Sequence, residues 1–196
     1  MSFFQQPEFH RAVHDTGDLP PDNAAEVAFA GRSNSGKSSA VNAILQRKNL
    51  ASVSKTPGHT RGIHFYRLDA HRYLVDLPGY GYAAGPGAER RRWDARISAY
   101  LQTRRSLRGL VLVCDTRRLL TPLDRQLIAW FSPTGKPVHV LLTKADKLPP
   151  AQALLALTRC EGELRGEGPA LTAQLFSGRT RVGVPAAREI LGAWLK

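Results

Sequence analysis

Gly31, Arg32, Ser33, Asn34, Ser35, Gly36, Lys37 and Ser38 fit G-x-x-x-x-G-K-[ST] at every fixed position. Such a loop cradles phosphate only when a strand delivers it and a helix leaves it. Both are present: Glu26 to Ala30 is a short apolar run, and Ser39 to Gln46 has helical periodicity. Glycines let successive N–H groups turn inward around phosphate oxygens. The helix N-terminus adds partial positive charge. Lys37 can then reach β and γ phosphates, and the Ser38 hydroxyl can ligate Mg²⁺. The motif specifies a nucleotide, not which one.

The rest of the chain repeats the strand–helix alternation. Ile63 to Leu68 and Tyr73 to Asp76 alternate like two strands joined by a tight turn at Asp69-Ala70-His71-Arg72. Glu89 to Arg105 carries Trp93, Ile97, Tyr100 and Leu101 in a helical stripe. Gly109 to Cys114 and Pro137 to Leu142 are apolar throughout, the pattern of strands buried on both faces. Thr121 to Phe131 is predicted helical, with Thr121 as N-cap, Pro122 at the first position and Asp124 in the first turn. Pro149 to Arg165 and Pro185 to Leu195 are predicted helices around a last strand, Ala170 to Phe176. The expectation is an α/β fold: a mostly parallel six-stranded sheet with one antiparallel strand and helices on both faces. Residues 1–24, polar with Pro7, Pro20 and Pro21, are expected as an N-terminal arm, and 25–196 as a single domain.

Charge is distributed unevenly. The 196 residues hold 28 Lys+Arg against 16 Asp+Glu, a net +12. Residues 47–118 alone hold 15 against 5. Tyr80, Tyr82, Trp93 and Tyr100 are interleaved with these arginines. Such a field suits RNA, DNA or an anionic membrane surface, and its bland reading is a solvated basic face. Cys114 and Cys160 are too few and too far apart for a metal cluster or disulfide framework, which points to a reducing cytoplasm. No apolar run approaches the ~18–20 residues of a membrane span, and the start lacks a signal-peptide pattern.

Three further motifs follow the phosphate loop in order. Asp76-Leu77-Pro78-Gly79 ends a strand, where an aspartate can hold Mg²⁺ through water and the Gly79 N–H can meet a γ-phosphate. Thr143-Lys144-Ala145-Asp146 ends another strand. A carboxylate such as Asp146 accepts both N1–H and the 2-amino group of guanine, a pair adenine lacks. The Lys144 stem can lie along the base plane. Backbone N–H groups of Phe176-Ser177-Gly178 could meet the guanine O6. Thr60, in the loop before Ile63, is preferred over Thr56 to complete the Mg²⁺ shell.

Together these residues resemble the translation-factor-related (TRAFAC) GTPases, and more closely the EngB family (YihA/YsxC-type) of bacterial ribosome-biogenesis GTP-binding proteins. The resemblance rests on residues 31–38, Ser54 to Thr60, Asp76 to Ala83, Thr143 to Asp146 and Phe176-Ser177, and covers roughly 5–196. It implies a single Ras-like P-loop GTPase domain that binds GTP and GDP. Contacts are implied at 31–38, at Gly58, His59, Thr60, Arg61 and Gly62, at Asp76 to Gly79, at Thr143 to Asp146, and at Leu175, Phe176, Ser177 and Gly178. Mg²⁺ is implied on Ser38 and Thr60, with Asp76 acting through water. The resemblance also implies a cytoplasmic role in large-subunit ribosome assembly, needed for normal cell division and septation. Thr143, where most GTPases have Asn, looks like the family's own variant. His59 and Ser35 replace commoner residues, and Gly178 stands where a second Ser is usual.

A water-orienting Gln commonly follows D-x-x-G in GTPases. Tyr80 stands there instead, so slow hydrolysis is expected, carried by Lys37, Thr60 and Gly79. Asn34 could help bind K⁺ beside the β and γ phosphates. Arg90, Arg91, Arg92, Arg104 and Arg105 are candidate contacts to rRNA phosphates of the large subunit. A monomer is expected. The alternatives are a P-loop ATPase or small-molecule kinase, a nucleic-acid module with a vestigial loop, and a septum-associated GTPase.

Overall fold

In the computed structural model, which describes residues 4–52, 62–80, 97–166 and 170–196, five of the expected strands run parallel. These are β2 (Ala25–Gly31), β4 (Arg72–Asp76), β5 (Leu107–Asp115), β6 (Val138–Thr143) and β7 (Leu171–Leu175). The single reversed strand is β3 (Ile63–Asp69), which pairs antiparallel with β4 across a tight turn, as expected.

The sheet has seven strands, not six. Glu8–Val13, inside the segment expected as an arm, forms β1 and pairs antiparallel with β3. Its side chains are largely exposed, so hydrophobic alternation gives no sign of it. The open edge of β3 supplies the backbone partners, and Phe9 packs edge-on against His64 and Tyr66.

Helices cover both faces. On one side α1 (Lys37–Leu45) and α5 (Val184–Trp194) bury Val41, Ile44 and Leu191 against Val27, Phe29, Val111 and Val113. On the other, α2 (described over 97–103), α3 (Pro122–Phe131) and α4 (Pro150–Leu164) bury Tyr100, Phe131 and Cys160 against Ala28, Leu110, Leu112 and Val140. Alternate residues of β2 and β5 serve opposite faces, which is why these strands read as continuous apolar runs.

The strand order β1-β3-β4-β2-β5-β6-β7 places β2 between β4 and β5. The chain leaves β2 towards one edge and returns to the other side of it in β5. In open α/β sheets the crevice at the carboxyl ends of strands flanking such a reversal is where ligands bind. The phosphate-loop motif begins at the carboxyl end of β2.

Candidate functional site

The loop leaving β2 is shaped by backbone conformations that few residues adopt. Asn34 has φ 65° and Gly36 φ 95°. A side chain at Gly36 would be strained by that φ alone. Gly36 is also the N-cap of α1, without a side-chain cap. The first turn of α1 is thereby left facing the loop with the donors an anion requires.

Lys37 and Asp76 meet at the center of this end of the sheet. Their side chains are 7% and 2% exposed, and the Lys37 ammonium pairs with Asp76 Oδ1. Two charges taken out of water need each other or an equivalent partner. The segment after Asp76 lies along the phosphate loop: the Leu77 N–H donates to Phe29 O at 2.9 Å and the Ser33 N–H to Tyr80 O at 3.0 Å. Gly79 fits between them because it has no Cβ. One built there would lie 3.1 Å from Ser33 Oγ and 3.2 Å from its nitrogen.

The second half of the site hangs from β6 and β7. The Thr143 hydroxyl lies against the Ser35 carbonyl and 2.9 Å from the Cys114 carbonyl; with one proton it donates to one at a time. Lys144 adopts φ 58°, and its ammonium donates to Asn34 O at 2.7 Å and pairs with Asp115 Oδ2 at 3.0 Å. Thr143 and Lys144 thus tie this strand end to the phosphate loop. The Ser177 hydroxyl donates to Asp146 Oδ1 at 2.7 Å. The other oxygen, Asp146 Oδ2, is buried with no hydrogen-bond partner among the described residues, and the nearest cation, Arg179 Nη1, is 3.8 Å away. A buried acceptor left open is costly unless a ligand supplies a donor.

Most of the expected residues therefore converge: Gly31 to Ser38, Asp76 to Gly79, Thr143 to Asp146 and the end of β7 at Leu175 with Phe176 and Ser177. Gly62 is described just before β3. Gly58, His59, Thr60, Arg61, Arg90, Arg91 and Arg92 lie outside the described residues.

Two expectations are corrected. The Phe176 and Ser177 N–H groups donate to Leu142 O at 2.8 Å and Val182 O at 2.9 Å, so they are not free for guanine O6. Of that tripeptide, the Gly178 N–H is the remaining donor. Arg104 is not a surface contact for RNA. It is 6% exposed, its guanidinium grips Glu26 at the start of β2, and it donates to Pro20 O at 2.8 Å. Glu26 is itself fully buried and also accepts from the Tyr100 hydroxyl at 2.8 Å. The physical reason is that a buried carboxylate demands a cation, and Arg104 is the one in reach. Arg105 stays exposed, with its backbone N–H held by Asp22 Oδ2 at 3.0 Å.

Sequence reasoning missed Asp115. Its carboxylate, 7% exposed, pairs with Lys144 and with Arg117 Nη2 at 2.7 Å. Burial pushes this carboxyl up, but hydrogen bonds from Arg117 and Lys144 outweigh it and hold it well below the usual range. One signal was available: Asp115 directly follows the apolar run ending at Cys114, as Asp76 follows the apolar Leu74-Val75 at the end of its own strand.

Residues 26–144 match a family model described as "50S ribosome-binding GTPase". The chain is 51% identical to the probable GTP-binding protein EngB of Azoarcus sp. (strain BH72) over 197 residues, covering 100% of this chain and 94% of that protein. It is 51% identical over 187 residues to the protein of the same description from Thiobacillus denitrificans, covering 95% and 90%. Among solved structures it resembles a probable GTP-binding protein engB with TM-score 0.67 at 22% identity, over 87% of this chain and 98% of that one. Era bound to MgGDPNP and nucleotides 1506–1542 of 16S ribosomal RNA matches with TM-score 0.68 at 20% identity, over 89% and 57%. At such identities the likeness is one of fold.

Proposed function

Because this chain belongs to the EngB family of GTP-binding proteins, a GTPase family, we propose that the site at the carboxyl ends of β2, β4, β6 and β7 is its guanine-nucleotide pocket. The observation that carries this reading is Asp146: one carboxylate oxygen is satisfied by Ser177 and the other is buried and open. Guanine N1–H and its 2-amino group are donors of the kind that oxygen lacks. Residues 31–38 and the N-terminus of α1 receive the phosphates, with Lys37 exchanging Asp76 for β and γ oxygens. Asp76 is thereby released toward water.

The Ser38 hydroxyl, and Asp76 acting through water, are hard oxygen donors of the type Mg²⁺ prefers, so these two residues fit that ion, and Thr60, outside the described residues, would be the third member. Mg²⁺, when bound, neutralizes charge on the phosphate oxygens. Asn34 is the candidate residue for a K⁺ requirement. Hydrolysis is slow, because the Tyr80 side chain is buried against α3 and cannot orient water.

The biological reading is a cytoplasmic, monomeric switch in assembly of the large ribosomal subunit, needed for normal division and septation. GTP orders the segments around Thr60 and Gly79, and the basic stretch 47–118 that contains both meets rRNA through Arg90, Arg91, Arg92 and Arg105. Among the described residues no helix is long and apolar enough to cross a membrane. Two experiments test this. GTP and GDP, but not ATP, should displace a bound fluorescent guanine nucleotide; equal displacement by ATP overturns the pocket assignment. Sedimentation with ribosomal subunits should depend on nucleotide state and weaken steeply with salt. Binding that ignores both overturns the switch.

A further inference from the structure

We propose that Asp115 is a positioning residue for nucleotide retention, acting through Lys144; this rests on the guanine-pocket reading above. Lys144 is held from two sides. Its ammonium donates to Asn34 O in the phosphate loop and pairs with Asp115 Oδ2 at the end of β5. Just past the end of β6 the Lys144 backbone sits at φ 58°, so the stem departs from the strand direction rather than continuing it. A lysine stem has four rotatable bonds and loses them only if its end is fixed. The Asn34 carbonyl alone is a weak anchor for that end, being one neutral acceptor. Asp115 supplies the charge.

Asp115 is itself prevented from turning away. Its Oδ1 accepts from the Arg117 N–H at 3.1 Å and from Arg117 Nε at 2.9 Å, while Arg117 Nη2 reaches Oδ2 at 2.7 Å. The Arg117 fork fixes the carboxylate plane so that Oδ2 is presented to Lys144. The resulting chain, Arg117 to Asp115 to Lys144 to Asn34, links β5, the end of β6 and the phosphate loop without touching the base edge read by Asp146. Asp115 therefore governs how long the nucleotide stays, and not which base is chosen. Were it only a structural residue at a strand end, its loss would disturb Thr143 to Asp146 as a unit and change both.

The test is stopped-flow release of fluorescent GDP and IDP from the full chain, wild type against Asp115→Asn, Lys144→Met and the double variant. Asn keeps the shape and the acceptor for the Arg117 N–H, so the fold is retained. GDP and IDP should both leave on the order of tenfold faster from Asp115→Asn, with their ratio unchanged, and the double variant should be no faster than Lys144→Met alone. Wild-type release rates, additive effects, or a changed GDP-to-IDP ratio overturn the role given to Asp115. Should Asp115→Asn not fold, Asp115→Glu, which keeps the charge but displaces it by one methylene, is judged by the same three criteria. A wild-type chain that does not retain GDP at all sinks the guanine-pocket reading itself, a result distinct from any of these.

Discussion

The Tyr80 hydroxyl donates to Asp124 Oδ1, and the other oxygen of that carboxylate receives the Thr121 N–H at 2.7 Å and the Thr121 hydroxyl at 2.6 Å. The residue after Asp76-Leu77-Pro78-Gly79 is thus anchored on the N-terminus of α3 rather than aimed at a phosphate. Burial, and then the Asp124 charge, push the phenol well above its usual range, so it remains a neutral donor. A side chain placed at position 80 inherits this inward direction. Tyr80→Gln should consequently leave single-turnover GTP hydrolysis within about twofold of wild type, whereas Tyr80→Phe, which strips a donor from a buried carboxylate, should cost ~1–3 kcal/mol of stability. Phosphate release and chemical denaturation measure the two. A large acceleration in Tyr80→Gln would show that the site can recruit that position.

Gly79 offers a cleaner separation of the two nucleotide states. A methyl group there meets Ser33 Oγ and nitrogen at 3.1 and 3.2 Å, both part of the phosphate loop. The segment has to lift away, and with it the N–H expected at the γ-phosphate. Gly79→Ala should weaken a non-hydrolysable GTP analogue about tenfold or more, the scale of one lost charge-assisted hydrogen bond, and leave GDP nearly unchanged. Calorimetric titration with both ligands decides it, and equal losses would refute a γ-phosphate role.

Arg104 and Glu26 form a buried pair, 6% and 0% exposed. Arg104→Met strands the carboxylate and should cost ~3–5 kcal/mol in urea denaturation, while Glu26→Leu combined with Arg104→Met should recover much of the loss. In ribosome sedimentation, Arg104 should not contribute to the salt slope. Arg105→Ala should reduce that slope by about one if it meets a phosphate. A similar slope change for a folded Arg104 variant would restore Arg104 as an RNA contact.

His139 gives a pH prediction. It is buried in β6, with Nδ1 2.7 Å from Thr172 Oγ1 and Nε2 3.0 Å from Gln174 Oε1. The Gln174 amide nitrogen donates to Gly183 O at 2.7 Å, so its oxygen faces the ring, and Nε2 carries the proton. Burial lowers the His139 pKa, and the Gln174 hydrogen bond only partly restores it. A lowered native pKa means the unfolded chain binds the proton more readily. The stabilization is complete above about pH 6.5, the ordinary value, and drains away as pH falls below it toward the native pKa. Tm of the wild type should therefore fall more steeply from pH 7 to 5 than that of His139→Gln. Parallel curves would remove His139 as a source.

Much of the architecture was legible beforehand. Apolar runs around residues 26–30, 109–114 and 137–142 are unambiguous because β2, β5 and β6 are buried on both faces. Thr121, Pro122 and Asp124 mark the start of α3 because helix ends must satisfy their own N–H groups locally. The strand β1 was not legible, since its partners are backbone groups of β3 and its side chains are mostly in water. The motifs of the proposed site stand out in the sequence for a related reason: phosphate and base recognition fix residue types at short spacing.

The sequence by itself determined the phosphate-loop motif, the Thr143-to-Asp146 motif proposed to read guanine, the order of strands from β2 onward with the helices between them, and a basic stretch beside them. Only the tertiary structure decided which charges are internal. Arg104 reads in the sequence as one more surface arginine, yet it answers a carboxylate 78 positions away. Asp115 reads as a strand end, yet it holds Lys144, the residue just past the end of another strand. Short-range spacing encodes chemistry that one loop performs alone. Which distant charges meet depends on how the sheet brings its strands together, because a buried charge must find its partner in space and not along the chain.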